Sequence, residues 1–253
     1  MDNKELIDIL KQLVINTAPK KSYSILLTSN TAEFTTTLSS VIRIESENWG
    51  VGLVSLETYN SIPNITASNN VFRYSTDNGL TWKVILLAIG SYEITAINAE
   101  IQRQINLNGD SPIDITANVS TLGSAINIPT NNRVDFTVDN SIGSTLGFNS
   151  CILSSGYNIS PRVVNILTVN SILVNCDIIS GSYLNGHIFP TIYSFFPNVN
   201  PGYKIVERPI NIQYLPITSN DIFSIRLWLT DQNGKKIDLR GETLTVRLEL
   251  KHL

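Results

Sequence analysis

Charged residues are scarce in this chain, and so are the residue types that most often carry catalysis. Charged residues make up 15% of the 253 residues, against about 25% in an average soluble protein. There are only two histidines, two cysteines and one methionine, and the net charge is −3. The basic pairs Lys20-Lys21 and Lys235-Lys236 are isolated, so we expect no specific nucleic-acid partner. Serine, threonine and asparagine must form much of the polar surface, which favours strands and turns.

Targeting and membrane segments are also missing from the sequence. No stretch approaches the ~18 consecutive apolar residues of a membrane helix, so we predict no membrane span. The N-terminus has two acidic residues among its first five and no small-residue cleavage site, so we predict no secretory signal. Cys151 and Cys176 are too few for a disulfide framework in a chain of this length, and we expect two free thiols.

Motifs for catalysis, metal binding and phosphate binding are absent. His187 and His252 lie in no HExxH or His-x-His arrangement, and the cysteines have no CxxC spacing. The glycine pattern Gly50-Val-Gly52 lies in an apolar stretch and precedes no helix, so it does not form a phosphate-binding loop. We therefore predict no enzymatic activity and no catalytic, cofactor-binding or metal-binding residues.

Alternation of apolar and polar residues predicts strands over most of the chain from Ser22 onward. The most regular stretch is Ile222 to Leu253, where one arm has Ile225, Leu227 and Leu229 on one face and the other has Leu244, Val246, Leu248 and Leu250. With Asp231 to Gly234 as the turn, we predict one long antiparallel hairpin. Asp238 and Glu242 flank Arg240 in this stretch, and we interpret them as a structural Arg–carboxylate pair.

In total we predict about a dozen strands, more than the eight of a minimal jelly roll, so extra strands or an insertion are expected. Besides the final pair, the predicted strands are Ser24–Leu27, Glu33–Ile44, Val51–Tyr59, Val71–Tyr74, Thr81–Leu87, Ile113–Val119, Arg133–Val138, Val163–Val169, Ser171–Ile179 and Ile205–Tyr214.

Two helices interrupt the strands. The first covers residues 3 to 15 and places Leu6, Ile9, Leu10 and Leu13 on one face. The second begins at Thr95 as N-cap, ends at Asn108-Gly109 and carries Ile97, Ile101 and Ile105 on one face. The predicted fold class is all-β, a single jelly-roll β-sandwich with an internal helix. We divide the chain into an N-terminal helical arm, residues 1–21, and a jelly-roll domain, residues 22–253.

The stretch from Asn185 to Pro216 is rich in proline and aromatic residues. Its prolines exclude it from a central strand and predict an ordered segment on the surface. Three roles stay open for its aromatic residues, namely packing on the sheet, a subunit contact and ligand binding.

Several segments together resemble the minor capsid, or penton, proteins of the polinton, adintovirus and virophage group. The resemblance runs in order from Glu33 to Lys251 and is most specific in the last block. The segments are Ser61-Ile-Pro-Asn-Ile65, Asn69-Asn-Val-Phe-Arg-Tyr74, Gly90-Ser-Tyr-Glu-Ile94, Leu146-Gly-Phe148 and the block from Leu229 to Lys251, LTDQNGKKIDLRGETLTVRLELK.

This resemblance implies a structural virion protein, made in the host cytoplasm or nucleus. Its jelly-roll subunit would form a homopentamer at the fivefold vertices of an icosahedral capsid, beside a double jelly-roll major capsid protein. A subunit of low charge without a catalytic constellation is compatible with such an assembly.

Two other classes of function are alternatives to the capsid hypothesis. A lectin-like jelly roll would bind a glycan or host receptor through loop aromatics, and vertex proteins can carry such binding as a secondary role. Trp49, Trp82 and Trp228 are the residues to consider, and only Trp49 resembles a loop residue. An enzyme of the cupin or glycosidase type would need clustered histidines or two carboxylates across a cleft, and the sequence supports neither.

Overall fold

The computed structural model describes residues 21–44, 48–166 and 169–253. The helix predicted over residues 3 to 15 lies outside the described residues. The described part contains one α-helix, α1 (Ile94–Leu107), and a short 3-10 helix at Ile142–Ser144.

The strands, in chain order, are β1 (Ser22–Ser29), β2 (Glu33–Arg43), β3 (Trp49–Tyr59), β4 (Val71–Ser75), β5 (Lys83–Leu86), β6 (Asp114–Asn118), β7 (Gly123–Ile128), β8 (Arg133–Asp135), β9 (Ile152–Leu153), β10 (Gly156–Ile159), β11 (Ile172–Cys176), β12 (Tyr183–Leu184), β13 (His187–Ile188), β14 (Thr191–Phe195), β15 (Lys204–Glu207), β16 (Leu215–Pro216), β17 (Asp221–Thr230) and β18 (Leu244–His252).

Eight of these strands form a two-sheet sandwich. The first sheet has the order β1-β18-β3-β15, with β16 added beside β3, and the second has the order β14-β11-β17-β2. All neighbours within the two sheets are antiparallel. Along the chain the eight strands alternate between the sheets, except for β11 and β14, which are neighbours. This order is that of a jelly roll, two interleaved Greek keys, and it confirms the predicted fold class.

The core of the sandwich lies between the two sheets. Leu227 and Leu229 of β17 face Leu248 and Leu250 of β18 across one hydrophobic cluster, and all four are fully buried. Each such leucine contributes about 1.5–3 kcal/mol by leaving water. The alternation in the sequence therefore predicted correctly which residues of both strands face the core.

The predicted hairpin between these two strands is wrong. β17 pairs with β11 and β2, whereas β18 pairs with β1 and β3. The segment between them crosses from one sheet to the other. The Asp231 to Gly234 turn does form, since Asp231 accepts the backbone N–H of Asn233 at 2.8 Å and of Lys235 at 2.9 Å. It ends β17 and leads the chain back beside it only briefly, through an antiparallel bridge between Thr230 and Lys236.

The chain leaves the sandwich after β3 and returns at β11, and the intervening residues 60 to 171 form the predicted insertion. Two small sheets, β5-β4-β8-β9 and β10-β7-β6, enclose a second hydrophobic cluster together with α1. The helix contributes Ile94, Ile97, Ile101 and Ile105, all buried. The helix is thus confirmed, but its N-cap is Glu93 and not Thr95.

The insertion enters and leaves the sandwich at one place. The Asn64 side-chain amide donates to the carbonyl of Tyr92 at 2.7 Å and to that of Ile166 at 3.0 Å, which ties the two connecting segments together. The Ser61 hydroxyl donates to the carbonyl of Leu239 at 2.6 Å, in the connection between β17 and β18. Partly buried hydrogen bonds therefore fix the base of the insertion on the sandwich.

Other predicted strands differ from the structure. Of the strand predicted from Val163 to Val169, residues 163 to 166 are not a strand. Of the strand predicted from Ile205 to Tyr214, only residues 205 to 207 are one, as part of β15. The short strands β7, β9, β10, β12, β13, β14 and β16 were not predicted. The proline-rich stretch contains the edge strand β14, in agreement with its exclusion from a central position.

Candidate interaction surfaces

The described residues include no cluster of metal-ligating side chains. No group of three or more histidine, cysteine, aspartate or glutamate side chains in residues 21–44, 48–166 and 169–253 could hold a metal ion. His187 is exposed on β13, and His252 lies edge-on to Trp49 with ring centroids 6.1 Å apart.

No helix in the described part of the chain is long and apolar enough to cross a membrane.

The two cysteines are free, and one is chemically inert. Cys176 lies in the sandwich core, whereas Cys151 is half-buried in the insertion. Burial raises the pKa of the Cys176 thiol to about 12, so almost no reactive thiolate forms at neutral pH.

The tryptophans are held by neighbouring side chains and do not present stacking platforms for a sugar. Trp49 is 8% exposed in the core and stacks on Tyr23 with ring centroids 5.7 Å apart. Its assignment to a loop was therefore wrong. The Arg73 guanidinium lies over the Trp82 ring, 4.8 Å from the ring centroid. The Arg226 guanidinium lies over the Trp228 ring at the same distance. Trp228 faces away from the buried leucines, as predicted.

Arg240 does not form the predicted ion pair. The carboxylate of Asp238 instead accepts the backbone N–H of Arg240 at 2.8 Å, and no ion pair joins the Arg240 side chain to Asp238 or Glu242. Arg240 has a φ of +54° and is followed by Gly241 at +82°. A tight turn, and not a side-chain bridge, returns the chain to β18.

Gly50 and Gly52 lie under a segment that crosses the outer face of the first sheet. A Cβ on Gly52 would come within 2.4 Å of Ile212 Cγ2 and 2.9 Å of the Gln213 carbonyl oxygen. Tyr214 in the same segment donates to Glu249, and its ring lies 4.4 Å from Lys251 Nζ. The two glycines therefore serve close backbone approach, which sequence reasoning had left unexplained.

One side of the sandwich presents two free strand edges, and we call it the β1–β2 side. Among the described strands, β1 pairs only with β18, and β2 pairs only with β17. Neither strand contains lysine or proline, and their only charged residues are Glu33 and Arg43 at the ends of β2. Leu26 of β1 is 59% exposed. Unprotected edges of this kind can pair with or pack against another chain.

Four other edge strands, β5, β6, β14 and β15, have features that commonly prevent such contacts. On β5, Lys83 pairs with Asp110 at 2.7 Å, and the Gln104 amide donates to the edge carbonyl of Leu86 at 3.3 Å. β6 is covered by α1, whose Asn98 accepts the backbone N–H of Ile115 at 2.8 Å. β14 lies between Pro190 and Pro197, and β15 between Pro201 and Pro209. These four edges are thus protected, whereas the described residues supply no such protection to the β1–β2 side.

Exposed apolar side chains lie on the opposite side of the sandwich. Tyr59, Tyr203, Val206 and Ile210 are 41%, 66%, 49% and 99% exposed, and we call this group the β15 surface. Tyr59 and Val206 are diagonal neighbours on the outer face of the first sheet, since Lys204 pairs with Tyr59 and Val206 pairs with Glu57. Large apolar side chains with polar neighbours are typical of contact surfaces.

The aromatic residues of the proline-rich stretch divide between packing and exposure. Phe195 is buried in the sandwich core, and the Tyr193 hydroxyl donates to Glu207 at 2.9 Å, which links β14 to β15. Phe196 and Tyr203 are more than half exposed. Packing on the sheet thus accounts for the first pair, and the second pair is available for a contact.

Strand order and inserted unit together define the class of the protein as a single jelly roll with a large insertion after its third strand. The chain is similar to the crystal structure of the penton protein of mavirus, a virophage, with 11% sequence identity and a TM-score of 0.50. The match covers 92% of this chain and all of the mavirus chain. No family model matches the sequence, and no curated protein matches it. The chain therefore has the fold of a penton-like minor capsid protein.

Proposed function

We propose that this protein is a structural subunit of a virion, a penton-type minor capsid protein that occupies the fivefold vertices of an icosahedral capsid. The observation that carries the proposal is the fold match over 92% of this chain and the whole mavirus penton chain. Such an extent includes the eight-stranded sandwich and most of the insertion. A single shared sandwich would be weaker support, because jelly rolls also occur in lectins and cupins.

The subunit assembles as a homopentamer beside a double jelly-roll major capsid protein. Low charge, unprotected strand edges and exposed apolar side chains support a role in assembly. The proposed role is structural and not enzymatic, since the described histidines, carboxylates and cysteines form no catalytic arrangement. A lectin-like function has no comparable support, because Trp49 is buried and Trp82 is covered by Arg73.

Light scattering on the purified protein, together with negative-stain images, tests the proposal. We expect a ring with a mass of five times 28.0 kDa. The pentamer should then be incorporated into shells formed by a double jelly-roll major capsid protein from the same source. A monomer that is not incorporated into such shells would refute the proposal.

A further inference from the structure

We propose that the β1–β2 side of one subunit contacts the β15 surface of the next copy of this chain. This inference rests on the proposed pentamer and assigns its subunit contact. A closed ring with an odd number of subunits requires a heterologous interface, in which each subunit uses two different surfaces. The two surfaces must therefore differ from each other and must lie apart on the subunit.

The position of the two surfaces satisfies this requirement. β1 and β15 are the two outer strands of the same sheet, with β18 and β3 between them. Three strand spacings separate them by about 14 Å. A ring can therefore form by placing the β1–β2 side of each sandwich against the β15 surface of its neighbour.

Electrostatics permit the two surfaces to be buried together. On the β1–β2 side, Glu33 bonds to Arg226 and Lys236, and Arg43 lies 3.8 Å from Asp221. On the β15 surface, Lys204 Nζ lies 2.6 Å from a carboxylate oxygen of Glu57. Because these charges are already paired within the chain, contact between the surfaces would bury few unpaired charges. The free edges of β1 and β2 supply polar backbone groups, and the β15 surface supplies apolar side chains.

The β1–β2 side can supply most of one partner's share of a specific contact. β1 has eight residues, which span about 26 Å, and two packed sheets are about 20 Å thick with their side chains. The projected area is on the order of 500 Å², and the accessible area of such a corrugated surface is larger. A standard interface buries about 800 Å² per partner.

Three single lysine variants test the assignment by light scattering. Leu26→Lys changes the β1–β2 side, and Ile210→Lys changes the β15 surface. Leu86→Lys is the matched control, because Leu86 is 61% exposed on β5 of the insertion while Leu26 is 59% exposed on β1. We expect Leu26→Lys and Ile210→Lys each to raise the concentration for half-assembly at least tenfold. The control should assemble like the wild type, and all three variants should keep the wild-type far-ultraviolet circular dichroism spectrum, since weaker association alone would lower the melting temperature.

The outcomes separate the subunit contact from the proposed function. A wild-type protein that never forms a pentamer refutes the function and the contact together. A wild-type pentamer that survives both Leu26→Lys and Ile210→Lys refutes only the contact. The latter result is also expected if residues 1–20 of the same chain, and not a second copy, cover the β1–β2 side.

Cross-linking tests whether the contact is heterologous. In a Cys151→Ser background, Leu26→Cys and Ile210→Cys are made singly and together, and the pentamer is treated with a flexible bismaleimide. We expect the double variant to give a ladder of up to five linked chains and the single variants to give none. Cross-linked dimers from either single variant would show that identical surfaces meet and would overturn the assignment.

Discussion

Leu248 and Arg247 are neighbours in β18 and point to opposite faces of the sheet. Leu248 is fully buried in the sandwich core, whereas Arg247 is exposed beside Leu26 and Ser55 of the adjacent strands. We expect Leu248→Ala to lower the free energy of unfolding by about 2–5 kcal/mol, because it leaves a cavity in a packed core. Arg247→Ala should change it by less than about 0.5 kcal/mol. Urea unfolding measures both, and equal losses would mean that the register of β18 is wrong.

Tyr214 predicts how the stability responds to alkaline pH. Burial, and then the hydrogen bond to Glu249, raise the pKa of Tyr214 to about 12, above the ordinary tyrosine value of about 10. Because the pKa is higher in the folded state, this stabilisation is fully present below about pH 10 and is lost as the pH rises through about 12.

We therefore expect Tyr214→Phe to flatten the fall in the free energy of unfolding between about pH 10 and pH 12. Urea unfolding at a series of pH values measures this slope. Tyr157→Phe, at a side chain that is 65% exposed, is the control and should keep the wild-type slope. An unchanged slope in Tyr214→Phe would contradict the structural role of the Glu249 bond.

At the scale of residues, the sequence predicts which side chains are buried better than it predicts what they touch. The alternation in β18 identified its four core residues without knowledge of the partner strands. The roles of Trp49 and Gly52 could not be predicted, because each depends on a segment remote in sequence. Trp49 meets Tyr23 and His252, for example, and Gly52 lies against Ile212.

At the scale of elements, the false hairpin shows why strand pairing is harder to predict than strand position. β17 and β18 are regular strands joined through a genuine turn, and local rules therefore favour pairing between them. Each strand nevertheless pairs with strands from other parts of the chain. β17 and β18 belong to opposite sheets of the sandwich, whose apolar faces pack against one core. The pairing of β18 with β1 depends on residues more than 200 positions away, and no local pattern encodes that distance.

The insertion should be separable from the sandwich. Its core, which includes Ile97 and Ile101, is a cluster distinct from that of the jelly roll. All eight jelly-roll strands lie outside residues 60 to 171, and Asn64 holds the two connecting segments together.

Replacing residues 67 to 164 by a short Gly/Ser linker should therefore leave a folded sandwich that unfolds cooperatively. Circular dichroism and thermal unfolding measure this outcome. Replacing β11 residues Ile172 to Cys176 by a linker of equal length is the control and should abolish folding, since β11 is central in its sheet. Loss of folding in the insertion variant would show that the two cores form one cooperative unit.

At the scale of the whole molecule, the N-terminal arm is the part whose role is best tested by removal. Lys21 and the strand after it are described residues, and β1 begins at Ser22 with full pairing to β18. We expect deletion of residues 1–20 to leave the melting temperature unchanged but to weaken incorporation into a capsid shell. A co-assembly assay with the major capsid protein measures this effect, and equal incorporation of both forms would reduce the arm to a passive extension.

The candidate interaction surfaces could not be predicted from the sequence, although the fold class could. Threonine and serine in β2 are equally compatible with a central strand and with an edge, and only the sheet order reveals the edge. The proline-rich stretch did signal part of the β15 surface, because it ruled out a central strand and left a subunit contact open as a role for aromatic residues such as Tyr203.

The position of β18 has a consequence for synthesis of the protein. β18 lies between β1 and β3, so β1 lacks its sheet neighbour and β3 lacks its neighbour on one side until β18 has left the ribosome. The first sheet therefore closes only after translation of this domain, and such long-range pairing folds slowly. A nascent chain truncated before Leu244 would expose the apolar faces of β1 and β3 and become a chaperone or protease substrate. Only full-length subunits would then be available for shell assembly.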